Sequence, residues 1–245
     1  MKPLEGKVAL VTGAGRGMGQ EIAHRLARDG AALVVHYCGS EAGAQDTVET
    51  IQKAGGEAYT FRADIAKRAE VQALFAEIDR KSGRIDIVVN SSGVSAGGLL
   101  ADLDEEQLEW MLGINLRGPL FIASEAAKRM GEGGRIINIA STLADFPMAG
   151  SGIYSATKCA LKSFTESWAK ELGRKGITVN TVIPGATSPG MMDSSPEYRS
   201  FFENASPFGR VGRAEEIAAI VAFLASPEAS WVSGAQILAN GAANT

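Results

Sequence analysis

The sequence predicts an α/β fold in which helices cover both faces of a parallel sheet. Short apolar runs of strand length alternate with longer amphipathic stretches over the 245 residues. The runs are apolar at almost every position, which is typical of strands that are buried on both faces. Alternation of strand and helix along one chain favours a parallel sheet, because each parallel connection needs a crossover.

Seven runs are predicted to be strands because they are short, apolar and rich in β-branched residues. The first reads KVALVT, the second ALVVHY, the fourth IDIVVN and the fifth RIINIA. In chain order, the predicted strands are residues 7–12, 32–37, 57–62, 85–90, 135–140, 177–182 and 235–239.

The stretches between these strands have the periodicity of helices. Ile22 and Leu26 recur at helical spacing after the first strand, and Val71, Leu74 and Ile78 share one face further along. In chain order, the predicted helices are about residues 17–29, 41–54, 67–82, 104–130, 151–173 and 214–225.

No repeat, low-complexity segment or linker divides the chain, so residues 1–245 are predicted to form a single domain. The one long stretch without periodicity is residues 184–207, which hold four prolines. Irregular segments of this length in compact domains are usually functional or disordered. The apolar side chains of this stretch favour a substrate lid at about residues 186–207. These side chains are Met191, Met192, Tyr198, Phe201 and Phe202.

Charge and composition argue against several classes of protein. The net charge is −4 with both signs interspersed, so neither nucleic acid nor a membrane is expected as a partner. The chain has no secretory signal and no apolar stretch of membrane-spanning length, and a cytoplasmic protein is expected. Cys38 and Cys159 are predicted to be buried, inert thiols. His24 and His36 lie outside any cluster of ligand-type residues, and no metal site is expected.

A glycine-rich segment joins the first predicted strand to the first predicted helix. Residues 12–19 read TGAGRGMG and fit the spacing T-G-x-x-x-G-x-G. Glycines let a pyrophosphate approach the backbone, and a helix N-terminus offers free N–H groups and a positive dipole. A flexible turn without a ligand is the alternative, but the position between strand and helix favours nucleotide binding. The predicted contacts are Gly13, Gly15, Arg16, Gly17, Met18 and Gly19.

Tyr154 and Lys158 are four residues apart on a predicted helix and therefore lie on the same face. A free tyrosine has a pKa near ~10, and a nearby ammonium stabilises the phenolate and lowers that pKa. The pair suits proton transfer to a carbonyl oxygen or from an alcohol. Ser141 ends the strand RIINIA, where its hydroxyl can bind a substrate oxygen. The alternative for Tyr154 is a helix aromatic that packs at its edge beside a solvated lysine.

These motifs occur in one order along the chain. The order is the glycine turn, Asn90-Ser91-Ser92-Gly93, Asn115, Ser141, Tyr154 with Lys158, and Pro184-Gly185. Together they closely resemble the short-chain dehydrogenase/reductase family, especially its 3-oxoacyl-carrier-protein-reductase-like ketone reductases, over essentially the whole chain. The resemblance implies a seven-stranded, doubly wound (Rossmann) parallel sheet and a homotetramer.

The resemblance also implies a role for each residue. Tyr154 is the general acid/base, and Lys158 lowers its pKa and binds the nicotinamide ribose. Ser141 orients the substrate oxygen, and Asn115 holds a water in a proton relay. Asp64 contacts the adenine. The further cofactor contacts that the resemblance implies are Ile65, Asn90, Ser91, Gly93, Pro184, Gly185 and Thr187.

Three departures from the family pattern stand out. Residues 91–92 are Ser-Ser where Asn-Ala is usual, and the replacements are small. Pro189 stands where a threonine often holds the nicotinamide carboxamide, and Thr187 or Ser188 is the candidate substitute. Residues 240–242 read Asn-Gly-Ala where Asp-Gly-Gly is common.

The end of the second strand predicts that the cofactor is NADP(H) rather than NAD(H). NAD-binding folds of this type usually end that strand with a carboxylate on the ribose 2′-OH. Here the strand runs through Tyr37 to Ser40 without an acid, and Glu41 is expected to point to solvent from the following helix. Arg16 in the glycine turn is suited to bind a 2′-phosphate, and Ser40 offers a hydroxyl donor.

The favoured function is an NADPH-dependent reductase that transfers a hydride to the ketone of a small hydrophobic or β-keto substrate, with tyrosine as the proton donor. An NAD(P)-dependent alcohol or sugar dehydrogenase and a non-catalytic dinucleotide-binding regulator remain open as alternatives. The intact set of Ser141, Tyr154 and Lys158 argues against a regulator. The predicted pocket wall consists of Val94, Ser95, Leu143, Phe146, Met191, Met192, Phe201 and Phe202.

Overall fold

The computed structural model of the chain describes residues 2–190 and 196–243. Its strands, in chain order, are β1 Val8–Val11, β2 Ala32–Tyr37, β3 Ala58–Arg62, β4 Ile87–Asn90, β5 Arg135–Ile139, β6 Thr178–Pro184, β7 Thr187–Ser188, β8 Gly212–Arg213 and β9 Gln236–Ala239. Seven of them form one parallel sheet in the order β3-β2-β1-β4-β5-β6-β9. This confirms the predicted doubly wound sheet. Strands β7 and β8 form a separate parallel pair.

The described α-helices are α1 Gly17–Arg28, α2 Glu41–Lys53, α3 Arg68–Ser82, α4 Glu105–Leu112, α5 Gly118–Arg129, α6 Gly152–Leu172, α7 Pro196–Ala205 and α8 Ala214–Ala225. Helices α1, α2 and α8 pack on one face of the sheet, and α3, α5 and α6 pack on the other. Strand side chains alternate between the two cores, so that Val35 faces α1 while Val34 faces α3. No described helix is long and apolar enough to cross a membrane.

A chain of buried polar side chains fixes α6 to the centre of the sheet. The Asn90 side-chain amide donates to Asn138 Oδ1 on the neighbouring strand at 2.8 Å, and Asn138 Nδ2 donates to Thr165 Oγ1 on α6 at 2.8 Å. The Thr165 and Thr181 hydroxyl oxygens are 2.5 Å apart. Buried polar groups need such partners, so these bonds set the position of α6 along the sheet.

The long helical region predicted for residues 104–130 is interrupted in the structure. A π-helical turn, Gly113–Arg117, separates α4 from α5. Gly118 lets α5 approach the loop after β3, because a Cβ there would lie 2.6 Å from Ile65 Cδ1. Turns of this kind are frequent at functional sites.

The prediction that residues 184–207 are irregular is wrong for the described residues, because this region contains α7 as well as β7. Proline is favoured at the first turn of a helix, and Pro196 begins α7. An ion pair four residues apart, Arg199–Glu203, supports the helix. Met191 and Met192 lie outside the described residues.

The prediction of buried thiols is also wrong, since Cys38 and Cys159 are both exposed. Cys38 is the first residue past β2. Cys159 lies on the outward face of α6 and donates to the carbonyl oxygen of Ala144. Apolar character favours burial of cysteine, but the position of each residue on its element decides it.

The parallel topology places the carboxyl ends of β1, β4, β5 and β6 at one edge of the sheet. The glycine turn leaves β1 there, and Asn90, Ser141 and Pro184 lie at the ends of the other three strands. Ligands of open α/β sheets bind at this edge. The fold therefore brings the predicted site residues to one end of the molecule.

A glycine inside the first turn of α1 lets that helix start directly against the glycine turn. A Cβ on Gly19 would lie 2.4 Å from the carbonyl oxygen of Gly13, which is too close for any side chain. We therefore expect Gly19→Ala to lower the free energy of unfolding by about 1–3 kcal/mol, as measured by urea denaturation.

The matched control is Gly173→Ala at the end of α6. Gly173 has helical angles, and a Cβ there would have no atom within 4 Å among the described residues. This variant should change stability by less than about 1 kcal/mol. Equal losses in the two variants would contradict the proposed close approach at Gly19.

Candidate active site

The turn between β1 and α1 is held by hydrogen bonds from its own threonine. Thr12 Oγ1 accepts from the backbone N–H groups of Ser91 and Ser92, each at 3.0 Å. The first glycine, Gly13, has φ +68°, and a Cβ on it would lie 3.0 Å from Ser92 Oγ. The turn after β1 is thus tied to the loop after β4, which brings two predicted cofactor segments together.

The N-terminus of α1 is suited to an anion. Its first turn, which is described in full, contains no acidic residue, and no described side chain caps it. The first N–H groups of a helix lack partners within the helix and carry its positive dipole. Arg16, the N-cap residue, is exposed. Gly17 has φ +57°, and a Cβ on it would lie 3.4 Å from the Pro189 carbonyl oxygen. The donors and the charge at this turn fit a dinucleotide phosphate.

Glycines also allow the loop after β2 to pack on the turn. A Cβ on Gly15 would lie 2.8 Å from the carbonyl oxygen of Ser40. The Ser40 hydroxyl, predicted as a donor to the 2′-phosphate, donates instead to the Gly15 carbonyl at 3.3 Å. Met18 packs against the core beneath the turn. The Ser40 hydroxyl therefore stabilises the contact between the loop after β2 and the glycine turn.

Tyr37 ends β2 beside two charged groups. Burial raises the pKa of Tyr37, and the charge and hydrogen bond of Glu41 raise it further, while Arg62 lowers it. Glu41 is exposed at the start of α2, as expected, and its carboxylate also accepts a hydrogen bond from the Tyr37 hydroxyl. Arg62 lies opposite Tyr37 in the strand register and brings a positive charge to this corner.

Asp64 and Ile65 follow β3 with different orientations. Asp64 Oδ1 accepts from the backbone N–H of Ala66 at 3.0 Å, and Lys67 forms an ion pair with the same carboxylate. Ile65 is buried in the core against α5. The predicted contact between Ile65 and a cofactor is therefore limited to its backbone.

The last residue of β4 carries a buried polar atom that has no hydrogen-bond partner among the described residues. Asn90 is 2% exposed, and its Oδ1 has no hydrogen-bond partner in the described part of the chain. Ser91 donates its N–H to Thr12, as given above, and Ser91, Ser92 and Gly93 are partly exposed toward the opening. This edge retains hydrogen-bonding capacity that a ligand or a water can use.

Tyr154 and Ser141 meet at the start of α6. Tyr154 is 8% exposed, and burial raises the pKa of its hydroxyl above the ordinary value, while a hydrogen bond with Ser141 lowers it. The expected lowering of this pKa by Lys158 is not found, because loss of solvation by the phenolate dominates. Ser141 Oγ also accepts from the Leu143 N–H.

Lys158 lies one turn further along α6 and is almost fully buried. Its Nζ donates to the Ile139 carbonyl oxygen at 2.9 Å and lies 5.7 Å from the centre of the Tyr154 ring. Burial lowers the pKa of Lys158 to about 8. The side chain is thus fixed at the end of β5, within the same cluster as Tyr154 and Ser141.

Asn115 is fully buried in the π-helical turn. Its Oδ1 accepts from the Val94 N–H at 2.9 Å, and its Nδ2 donates to the Val94 carbonyl at 2.8 Å and to Thr157 Oγ1 at 3.3 Å. The side chain therefore connects the loop after β4 with α6. Thr157 in turn donates to the Tyr154 carbonyl.

The segment after β6 faces the glycine turn. A Cβ on Gly185 would lie 2.8 Å from Asn240 Cβ, so Pro184-Gly185 packs tightly on the C-terminal segment. Thr187 is buried and donates its hydroxyl to the Gly185 carbonyl at 2.9 Å. Because the hydroxyl proton of Thr187 is used in this bond, its oxygen can only accept a hydrogen bond from the nicotinamide carboxamide that the family's usual threonine holds. Ala242 has φ +58°, where the family pattern has a glycine.

The described residues of the predicted pocket wall lie on the loops after β4 and β5 and on α7. Val94 and Leu143 are partly exposed, and Ser95, Phe146 and Phe201 are exposed. Phe201 and Phe202 contact each other edge to face on α7 with ring centres 5.1 Å apart. The wall is therefore mostly apolar.

Several residues of the site were missed by the sequence reasoning. Thr12, Thr157 and Asn138 orient the loops and the helix that carry the predicted residues. The available signal was a polar residue inside an otherwise apolar strand, as with Asn138 in RIINIA, because such residues need buried partners. The described residues contain no group of His, Cys, Asp or Glu that could hold a metal ion.

Comparison with known proteins decides the family. A family model described as enoyl-(acyl carrier protein) reductase matches residues 13–243. A hydroxynaphthalene reductase-like protein Arp2 from Metarhizium brunneum is 38% identical, over 100% of this chain and 97% of that protein. The chain belongs to the short-chain dehydrogenase/reductase family. The family resemblance of the sequence motifs is confirmed.

Solved structures agree in fold and cofactor. A short-chain dehydrogenase from Burkholderia cenocepacia, crystallised in complex with NADP, has 37% identity and a TM-score of 0.96, covering 99% of this chain and 100% of its own. The reductase LugOII, which catalyses keto-reduction at C1 during lugdunomycin biosynthesis, has 40% identity and a TM-score of 0.92, covering 98% of each chain. The protein is an NADP-dependent oxidoreductase.

Proposed function

We propose that this short-chain dehydrogenase/reductase reduces the ketone of a hydrophobic ring compound with NADPH, and that Tyr154 is the proton donor. One observation carries the proposal. Tyr154 is buried beside Ser141 and Lys158 at the edge of the sheet that faces the glycine turn, and burial keeps its hydroxyl protonated at neutral pH. A protonated phenol is suited to give a proton to a developing alkoxide.

Each side chain has a distinct part in this chemistry. Bound NADPH supplies the hydride that the carbonyl carbon accepts. Ser141 orients the carbonyl oxygen, and Tyr154 gives its proton to that oxygen. Lys158 places a positive charge near the phenolate that remains and stabilises it. Asn115 fixes Val94 and the start of the loop that faces the substrate.

The cofactor is proposed to lie across the carboxyl edge of the sheet. The glycine turn and the N-terminus of α1 would hold the pyrophosphate, and Arg16 and Arg62 would favour the 2′-phosphate. Asp64 and Asn90 would border the adenosine half, and Thr187 would border the nicotinamide.

A hydrophobic substrate is supported by the loops that surround the opening. Loops that leave the carboxyl ends of β4, β5 and β6 carry exposed apolar side chains, and these are Leu99, Leu100, Leu103, Phe146, Met148, Phe201 and Phe208. Exposed apolar groups in such number mark a binding surface. Arp2 is described as a hydroxynaphthalene reductase-like protein, and naphthalene is a fused aromatic ring system, which supports a bicyclic ketone as the substrate. Residues 186–207, with α7, are the proposed lid.

The alternatives are weaker. A sugar dehydrogenase would need polar groups along the wall, whereas the described wall is mostly apolar. A non-catalytic regulator would have no need for the buried cluster of Ser141, Tyr154 and Lys158. We also propose a homotetramer, supported by the exposed Trp110 and Leu120 on α4 and α5.

The first test of the function is Tyr154→Phe, which removes the proton donor and keeps the ring. With a bicyclic ketone such as 2-tetralone, turnover should fall by about 10²–10⁴-fold, because a general acid contributes that much. NADPH affinity, measured by fluorescence titration, should change little. The matched control is Tyr59→Phe on β3, which removes a phenol hydroxyl away from the site and should leave turnover unchanged. Near-normal turnover in Tyr154→Phe would refute the assigned role.

The second test is the pH dependence of the two reaction directions. Because burial raises the pKa of Tyr154, the phenol remains protonated throughout the neutral range. Lys158 loses its charge as the pH rises through about 8. Ketone reduction should therefore be level between pH 6 and about 7.5 and fall above about pH 8. Alcohol oxidation needs the phenolate and should rise with pH. A reduction rate that climbs steadily to pH 9 would contradict this assignment.

The third test concerns cofactor choice. Arg16→Ala should raise the KM for NADPH by about tenfold or more and leave the KM for NADH nearly unchanged, since only NADPH carries the 2′-phosphate. Tyr37→Asp should shift preference toward NADH. Arg28→Ala, at the exposed end of α1, is the matched control and should have no effect. Equal weakening of both cofactors by Arg16→Ala would show that Arg16 does not recognise the phosphate.

A further inference from the structure

The His36 imidazole lies between two segments of the proposed dinucleotide site. His36 is the next-to-last residue of β2 and is 1% exposed. Its Nδ1 accepts from the backbone N–H of Gly13 at 3.2 Å, and its Nε2 lies 3.0 Å from the carbonyl oxygen of Ala63. The His36 carbonyl also accepts from the Ala14 N–H at 2.9 Å.

The two ring bonds permit only one state of the imidazole. A backbone N–H always donates and a carbonyl always accepts, so Nδ1 must be bare and Nε2 must carry the proton. Burial lowers the pKa of His36 to about 4, against smaller opposing effects of the bond to Ala63 and the charge of Asp64. The ring is therefore neutral throughout the neutral pH range, and both of its polar atoms have partners.

The ring joins parts of the chain that the sheet does not join directly. Gly13 begins the glycine turn after β1, and Ala63 precedes Asp64 after β3. Strand β2 lies between β1 and β3, so these two turns are not neighbours in the sheet. In the described part of the chain, no backbone hydrogen bond links them. The ring of His36 spans this gap.

Gly13 is the position in the turn where such a bond has the largest effect. Its φ of +68° lies in the left-handed region, and a Cβ on it would lie 3.0 Å from Ser92 Oγ. Its N–H points inward to His36 rather than toward the opening. Fixing this peptide sets the direction of the backbone that leads to the free N–H groups of α1.

We propose that His36 is a positioning residue for NADP(H), acting through its hydrogen bond to Gly13 to fix the glycine turn at the end of β1. The inference rests on the proposed placement of the dinucleotide at the glycine turn. His36 does not touch the cofactor. Its bond to Gly13 preorganises the phosphate-binding backbone, so that cofactor binding does not have to order it.

Two amide substitutions separate the two ring bonds. In His36→Asn, the amide oxygen lies close to the position of Nδ1 and can accept from Gly13. In His36→Gln, the amide lies close to Nε2 and can donate to Ala63 only. The measurements are the Kd for NADPH by fluorescence titration, kcat at saturating NADPH with 2-tetralone, and the thermal midpoint of each variant.

His36→Asn should bind NADPH within about threefold of the unmodified protein, and His36→Gln should bind about tenfold more weakly. Both variants should keep kcat at saturating NADPH within about twofold, because the catalytic side chains are not altered. A purely structural role would lower the thermal midpoint of both variants without this split between Kd and kcat.

Equal Kd values for the two variants, or weaker binding by His36→Asn than by His36→Gln, would overturn the proposal. A loss of kcat without a change in Kd would also overturn it. Arg16→Ala separates this failure from a failure of the proposed function. If Arg16→Ala leaves NADPH binding unchanged, the placement of the cofactor is wrong. If it weakens binding while the two His36 variants bind alike, only the role of His36 is wrong.

Discussion

The attachment of α6 to the centre of the sheet is the constraint on which the rest of the site depends. Asn138 on β5 and Thr165 on α6 share a buried hydrogen bond, and Thr181 on β6 completes the chain. Apolar contacts alone permit a helix to slide along a sheet, whereas a buried donor and acceptor must meet at one position. That position brings Tyr154 beside Ser141 and places Lys158 Nζ against the Ile139 carbonyl.

Burial then sets the chemical state of the groups that α6 carries. It raises the pKa of Tyr154 and lowers the pKa of Lys158 to about 8. Both shifts favour the uncharged form, as expected where water is excluded. Such a site holds a proton on the phenol before reaction and gains most from a positive charge when the phenolate forms. The same physical cause keeps the His36 ring neutral.

The second requirement of the site is that neighbouring backbone segments approach each other closely, and glycines allow this at the turn after β1. Gly15 admits the loop after β2, and Gly19 admits the start of α1 against Gly13. The family pattern is relaxed elsewhere. Ser92 replaces an alanine beside Gly13 without loss of the Thr12 bonds, and Ala242 adopts a left-handed φ of +58° where a glycine is usual. The tight contacts are thus concentrated at the turn proposed to hold the cofactor.

The sequence by itself determined the features that depend on neighbours along the chain. The seven strands, the glycine turn between β1 and α1, and the spacing of Tyr154 and Lys158 on one helix face follow from periodicity and local backbone chemistry. Motif order was enough to assign the family, and the lack of an acid at the end of the second strand, together with Arg16, indicated NADP. Local signals failed in part in residues 184–207. The four prolines there indicated an irregular segment, although one of them, Pro196, begins α7.

Tertiary structure alone decided the features that depend on residues far apart in the chain. The pKa of Tyr154 rises although Lys158 is near, because the effect of burial outweighs the effect of the Lys158 charge. The ammonium nitrogen of Lys158 is directed to the Ile139 carbonyl. Ser40 donates to Gly15, and the Ile65 side chain enters the core. The partners of His36 are 23 and 27 residues away in the sequence. No local pattern encodes such pairings, since they exist only once β1, β2 and β3 lie side by side.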